Sequence, residues 1–187
     1  MIWHYLIEGP WIVFCVYWVV GALRTRRTVS TEPFVLRARH LILEIGGFAL
    51  LFAGFIRLGP LEERVFRRTH ATLVAAVALT WVGITLALWA RWHLGQYWSG
   101  RITLKEGHKL IRTGPYARFR HPIYSGIILA AIGAALANDE WRCVAGVAII
   151  VLAYLIKGKK EESVLAAQFG EEFKEHRRHT GFLIPRF

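Results

Sequence analysis

Residues 71–92 read ATLVAAVALTWVGITLALWARW. No Asp, Glu, Lys or Arg interrupts this stretch before Arg91. The hydrocarbon core of a bilayer is roughly 30 Å thick and takes about 20 consecutive apolar residues to cross as a helix. This stretch meets that requirement and decides the reading of the whole chain. Working outward from it, four further apolar blocks stand at Trp3–Leu23, Leu41–Pro60, Ile123–Ala137 and Trp141–Ile156. The block Leu41–Pro60 carries Glu44 and Arg57. The block Ile123–Ala137 is short, and taken alone it also suits a buried core helix or a re-entrant segment. Together the blocks predict an all-α integral membrane protein with about five transmembrane helices.

Composition agrees. The chain has 187 residues, of which 55% are hydrophobic, with mean hydropathy +0.36 and a net charge of +11. A disordered basic tail lacks such apolar content. A soluble nucleic-acid binder does not carry several long uncharged apolar runs, so no nucleic-acid partner is expected. The length suggests one membrane domain over 1–187. Within it, 1–94 would hold the first three helices, and 95–187 would form the cofactor-binding and catalytic half. The first block lacks a preceding Lys or Arg and is followed by Arg24, Arg26 and Arg27, which predicts a retained helix rather than a cleaved signal peptide. Cys15 and Cys143 both fall in apolar blocks and read as small core hydrophobes. Of the eight histidines only His176 and His179 are close in sequence, with no further ligand nearby, so no metal site is expected.

Charge orients the helices. Nineteen Lys and Arg lie in the first loop, the third loop and the tail; five lie in the second and fourth loops. Lys and Arg accumulate on the cytoplasmic side. The N-terminus is therefore expected outside and the C-terminus in the cytoplasm, in a prokaryotic plasma membrane or the endoplasmic reticulum. Anionic headgroups account for the remaining basicity, which makes membrane lipids natural partners. No obligate protein partner is evident. The third loop and the tail share the cytoplasmic side and hold most of the polar side chains, so a soluble-facing site would be built from these two pieces.

The third loop ends in Gly107 to Gly126, GHKLIRTGPYARFRHPIYSG. Gly114-Pro115 marks a turn. Pro122 suits the first position of a helix, which puts His121 at the N-cap. The fourth helix then opens with free N–H groups and a positive dipole end, a seat for a carboxylate or phosphate that Arg118 and Arg120 would reinforce. The tail opens Lys157-Gly158-Lys159-Lys160-Glu161-Glu162. Glu161 follows Lys157 by four residues, the spacing of an ordinary helix-face ion pair. The fourth helix rises roughly 24 Å over about 16 residues and the fifth returns roughly 30 Å over about 20. The short Asn138-Asp139-Glu140 turn makes them a hairpin. Glu161 and Glu162 are thereby brought back to the level of Arg120 and His121.

Gly114-Pro115-Tyr116, Arg120-His121-Pro122-Ile123-Tyr124-Ser125-Gly126, Glu161-Glu162, Phe169-Gly170 and Ile184-Pro185 resemble the isoprenylcysteine carboxyl methyltransferase family, whose wider group includes phospholipid N-methyltransferases. The resemblance covers about 95–187. It implies a multi-helix membrane methyltransferase with a cytoplasmic C-terminal pocket for S-adenosylmethionine and a lipid-like methyl acceptor. The acceptor group implied is the carboxylate of an isoprenylcysteine or a related isoprenoid acid. Carried over by position, His108, Leu110 and Ile111 would line the adenosine. Tyr116, His121, Tyr124, Glu161 and Glu162 would surround the ribose and methionine part, with Gly114 and Pro122 among the cofactor-binding positions. Arg120, Tyr124, Glu162 and Arg177 would be the catalytic set. Phe173 and His176 stand where family members often carry tyrosines.

The roles also follow from chemistry. A Glu would accept hydrogen bonds from the cofactor's ammonium or ribose hydroxyls. Arg120 and the helix N-terminus would hold its carboxylate, and Arg177 or Arg178 would orient an anionic acceptor. A carboxylate acceptor is already ionised at neutral pH and needs no general base, whereas an amine acceptor must lose a proton. Three other functions remain compatible with these residues. They are a phospholipid amine N-methyltransferase, an NADPH-dependent membrane sterol-type reductase with a similar His-Pro-x-Tyr-x-Gly stretch, and a non-catalytic membrane scaffold. The adjacent Glu pair favours the methyltransferase, because a 2′-phosphate site would call for more Arg. Glu44, an intramembrane carboxylate, is either functional or snorkels to the interface near Arg39 and His40.

Overall fold

The computed structural model describes residues 2–22, 28–31, 34–55, 57–98, 103–105 and 109–187, at the backbone alone for 28–31, 34–36 and 103–105. Among them are five long helices: α1 (Ile2–Ala22), α2 (Phe34–Phe52), α3 (His70–Leu94), α4 (Pro122–Asn138) and α5 (Trp141–His179). Each expected apolar block contributes one helix. Three helices, α1, α3 and α5, are long and apolar enough to cross a membrane by length and composition. The 17-residue α4 is a shorter apolar helix. The block expected at Leu41–Pro60 is shifted. Its helix starts at Phe34, takes in Arg37, Arg39 and His40, and ends at Phe52. The following segment, with Arg57 paired to Glu62 at 3.2 Å, is not part of it. A short antiparallel ribbon pairs β1 (Thr28–Thr31) with β2 (Thr103–Lys105), which sequence reading did not anticipate.

Local signals explain the ends. Thr69 caps α3: its hydroxyl accepts from the Thr72 N–H, and the Thr72 hydroxyl accepts from the Thr69 N–H. Pro122 opens α4 with His121 at the N-cap, as expected, though the His121 side chain makes no capping bond. Asp139 closes α4 in the left-handed region, at φ 55°. Inside α5, Gly170 breaks the helical geometry with φ 50°, which turns residues 171–179 onto a new line.

Packing uses small residues. The main partner of α3 is α4, and that of α2 is α5. A Cβ on Gly83 would stand 2.5 Å from Ala130 N and from Gly126 O, so α3 and α4 touch backbone to backbone. Ala76, Ala87, Ala130, Ala131 and Ala134 fill the same seam without exposure. On the second seam, Gly47 faces Ile150 and the Gly146 carbonyl. Cys143 is buried and free, but Cys15 is exposed on α1 rather than in the core.

The two ends of the bundle are tied by different loops. At one end Val65 donates to the Asp139 carbonyl at 2.7 Å, and Arg68 pairs with Asp139 at 3.3 Å, tying the second loop to the fourth. At the other end β1 meets β2, and Arg91 donates to the Gly21 carbonyl at 2.8 Å. The described parts of the first loop, the third loop and the tail meet at that end.

Candidate functional site

The α4–α5 hairpin does bring Glu161 and Glu162 to the N-terminal end of α4. Arg120 Nε donates to Glu162 Oε1 at 2.5 Å. Tyr124, in the first turn of α4, donates its hydroxyl to Glu161 Oε1 at 2.6 Å. His121 lies between the two carboxylates, with Nδ1 3.5 Å from Glu161 Oε2 and Nε2 3.5 Å from Glu162 Oε1. The imidazole is only 6% exposed, and Nε2 has no partner in hydrogen-bonding geometry. Burial opposes the charged imidazolium, but the two carboxylates outweigh it and hold His121 above the ordinary histidine range.

Stacked rings fix this cluster. His121 lies parallel to Tyr124 with ring centres 5.3 Å apart, and Tyr124 stacks on Tyr154 of α5 at 4.5 Å. Phe182 meets His121 edge-on at 4.7 Å. Gly158 makes the approach possible, since a Cβ there would sit 2.7 Å from the Phe182 ring and 3.3 Å from His121 Nε2.

The chain's last residues cover the segment before α4. Gly181 donates to the Arg118 carbonyl at 3.0 Å, Arg120 N–H to Gly181 at 2.8 Å and His121 N–H to Phe182 at 3.2 Å. The Ser125 hydroxyl donates to the Leu183 carbonyl at 2.7 Å. On the tail side these bonds are made by the backbone of 181–183, just before Ile184-Pro185, so side-chain identity does not announce them.

Two expectations change here. Arg120 and Arg118, expected to reinforce an anion seat at the helix N-terminus, are engaged elsewhere: Arg120 with Glu162 and the Thr180 carbonyl, and Arg118 over the Phe187 ring at 5.2 Å. The expected Lys157–Glu161 helix-face pair is replaced by a bond between helices. Lys157 Nζ reaches Glu44 Oε1 on α2 at 3.2 Å, and Glu161 is taken by Tyr124 and His121. Glu44 is therefore neither isolated nor snorkelling alone.

The other expected site residues are placed as follows. Pro122 and Tyr116 are buried. Ile111 packs against the core, and Leu110 is half-buried beside it. Gly114, at φ 59°, lies against the His93 ring. Arg112 pairs with Glu172 at 3.0 Å, joining this segment to residues 171–179. Arg177 is exposed; its carbonyl, not its guanidinium, faces Arg120 at 3.4 Å. His108 lies outside the described residues. Sequence reasoning missed Tyr154 and Gly158 and gave Lys157 a different partner; the signal for the pairing was Glu44 itself, since an intramembrane carboxylate needs a cation. An open groove of about 550 Å³ runs along α2 beside Glu44, lined by Leu41, Ile45, Phe48, Phe52 and Phe55 among others. Among the described residues no three of His, Cys, Asp and Glu converge as metal ligands.

The fold and site define a helical membrane protein with a buried, ionically locked carboxylate pair at one end of its bundle. Residues 74–167 match the isoprenylcysteine carboxyl methyltransferase family, and the chain belongs to that family. It is an integral membrane protein of a methyltransferase family. The match spans α3, α4 and α5 through Glu161 and Glu162; it lies N-terminal of Phe169-Gly170 and Ile184-Pro185. The chain is 31% identical over 122 residues to the cobalt-zinc-cadmium resistance protein CzcN of Cupriavidus metallidurans, covering 64% of this chain and 54% of that protein. It is 30% identical over 118 residues to the nickel-cobalt-cadmium resistance protein NccN of Alcaligenes xylosoxydans xylosoxydans, covering 62% and 53%. The chain thus spans about half the length of these curated relatives.

Proposed function

We propose that this protein transfers a methyl group from S-adenosylmethionine to a lipid-like acceptor, the carboxylate of an isoprenylcysteine or related isoprenoid acid. The observation that carries the reading is the convergence of Arg120, His121, Tyr124, Glu161 and Glu162, drawn from two motifs that family membership joins. The donor set suits that cofactor. Two buried carboxylates complement a cationic ligand rich in hydroxyls, and His121 Nε2 is a buried polar atom still open to a partner.

When bound, S-adenosylmethionine supplies an electrophilic methyl group carried on a sulfonium. The chain's own part is to bind, orient and exclude water. Glu161 and Glu162 would accept from cofactor hydroxyls and the ammonium on the lone pairs that Tyr124, His121 and Arg120 leave. Arg120 and Tyr124 hold those carboxylates in place, so little reorganisation is needed when the ligand arrives. Leu110 and Ile111 supply apolar contact for the adenosine. A carboxylate acceptor needs no base, so catalysis rests on positioning and matched electrostatics. The groove along α2 suits an apolar tail approaching from the bilayer. We place the site on the cytoplasmic side, with α2 and α4 completing five spans, on the strength of the cationic loops gathered at that end.

Calorimetric titration of S-adenosylhomocysteine into the detergent-purified protein, with NADPH in parallel, tests this reading. Saturable binding of the first, weakened in Glu162→Gln, is expected. Binding of NADPH alone would replace it with the reductase reading, and binding of neither, in folded protein, with the scaffold.

A further inference from the structure

Glu44 is on α2, outside the residues that match the family model, yet it contacts the site through Lys157. Lys157 is 7% exposed. A buried ammonium is costly unless paired and well placed. Here it has the Glu44 carboxylate at 3.2 Å and the faces of two aromatic rings, Tyr124 at 5.5 Å and Tyr154 at 5.9 Å from their centres. Attraction between a cation and a ring face fixes the ring as well as the cation. The ring fixed most directly is that of Tyr124, whose hydroxyl holds Glu161 at 2.6 Å. Lys157 and Glu161 are also four residues apart on one helix, so the ammonium lies on the same face as the carboxylate.

We infer that Lys157, held by Glu44, is a positioning residue that sets the Tyr124–Glu161 pair for the ligand, a conclusion that rests on the methyltransferase reading above. A positive charge is required at this place, and a salt bridge alone is not sufficient. The two requirements separate in variants. Glu44→Gln with Lys157→Met removes both charges and leaves no unpaired ion. Glu44→Lys with Lys157→Glu keeps a pair but turns a negative charge toward Tyr124 and Glu161.

The test is S-adenosylhomocysteine affinity by calorimetry, with thermal unfolding in detergent run on every variant. The wild type is expected to bind. The neutral double variant and the swapped pair should each bind about tenfold more weakly, while Lys157→Arg should stay within about threefold of wild type. Adding Tyr124→Phe to the neutral double should cost little more, because both act through Glu161. Wild-type affinity in the swapped pair would show that only the salt bridge matters and would overturn the inference. Fully additive loss with Tyr124→Phe would overturn it too. A wild-type protein that binds no S-adenosylhomocysteine would instead sink the methyltransferase reading, and this inference with it. If the neutral double does not fold, the swapped pair and Lys157→Arg decide alone.

Discussion

Arg120 Nε and Glu162 Oε1 meet at 2.5 Å although 42 residues separate them in sequence. Their side chains are 11% and 12% exposed, so neither is a surface charge. The same guanidinium reaches the Thr180 carbonyl, which joins the start of α4, the middle of α5 and the end of the chain in one contact.

Glu162→Gln keeps the shape and a hydrogen-bond acceptor for Arg120 but removes the charge. S-adenosylhomocysteine affinity should fall at least about tenfold, roughly 1.4 kcal/mol. The unfolding temperature in detergent should also fall, because Arg120 and His121 lose a buried counter-charge, while helix content stays unchanged. Unchanged calorimetric affinity would remove Glu162 from the binding set.

Tyr124→Phe removes one hydrogen bond to a carboxylate and keeps the ring between His121 and Tyr154. Bonds to charged groups contribute about 1.5–3 kcal/mol. Binding should therefore weaken by about tenfold or more, with helix content by circular dichroism unchanged. Full affinity would mean that Glu161 needs no support from Tyr124.

His121 gives a sign to the pH dependence. Its carboxylate neighbours raise its folded-state pKa above the ordinary value of 6.5. The stabilisation is then complete below about pH 6.5 and is lost as pH rises through the folded value. Melting temperature should decline on the alkaline side, and His121→Gln should flatten that decline. An equal decline in the variant would refute the assignment.

Gly83→Leu would drive a side chain into Ala130 and the Gly126 carbonyl, where a Cβ alone already stands at 2.5 Å. Backbone groups cannot move aside as a flexible side chain can. The expected loss is several kcal/mol, from overpacking at a close helix contact. Size-exclusion chromatography in detergent should show little monodisperse protein, and a normal profile would contradict the packing.

Sidedness is checked by labelling single cysteines in sealed vesicles. Glu175→Cys should react from the cytoplasmic side and Glu63→Cys from the opposite one. The reverse pattern would invert the topology drawn from the loop charges.

Much of this was legible without coordinates. Apolar length marked the five long helices, three of them long and apolar enough to cross a membrane, because such a segment is read directly from its composition. The paired Arg120-His121 and Glu161-Glu162 stretches, with a hairpin between them, placed the site at one end by simple rise per residue. The boundary of α2 was misjudged because Arg37, Arg39 and His40 lie inside it and Arg57 lies beyond it. Composition cannot separate a charged helix turn from a loop.

What the sequence determined alone was which segments are apolar, which loops carry the cations and which polar residues a hairpin would bring together. These depend on local composition and helix geometry. The tertiary structure alone decided who pairs with whom. Lys157 chose Glu44 over Glu161, and Arg120 chose Glu162 over a free seat. The physical reason is burial: once water is excluded, each charge takes the nearest counter-charge in space, and no rule of spacing along the chain records that distance.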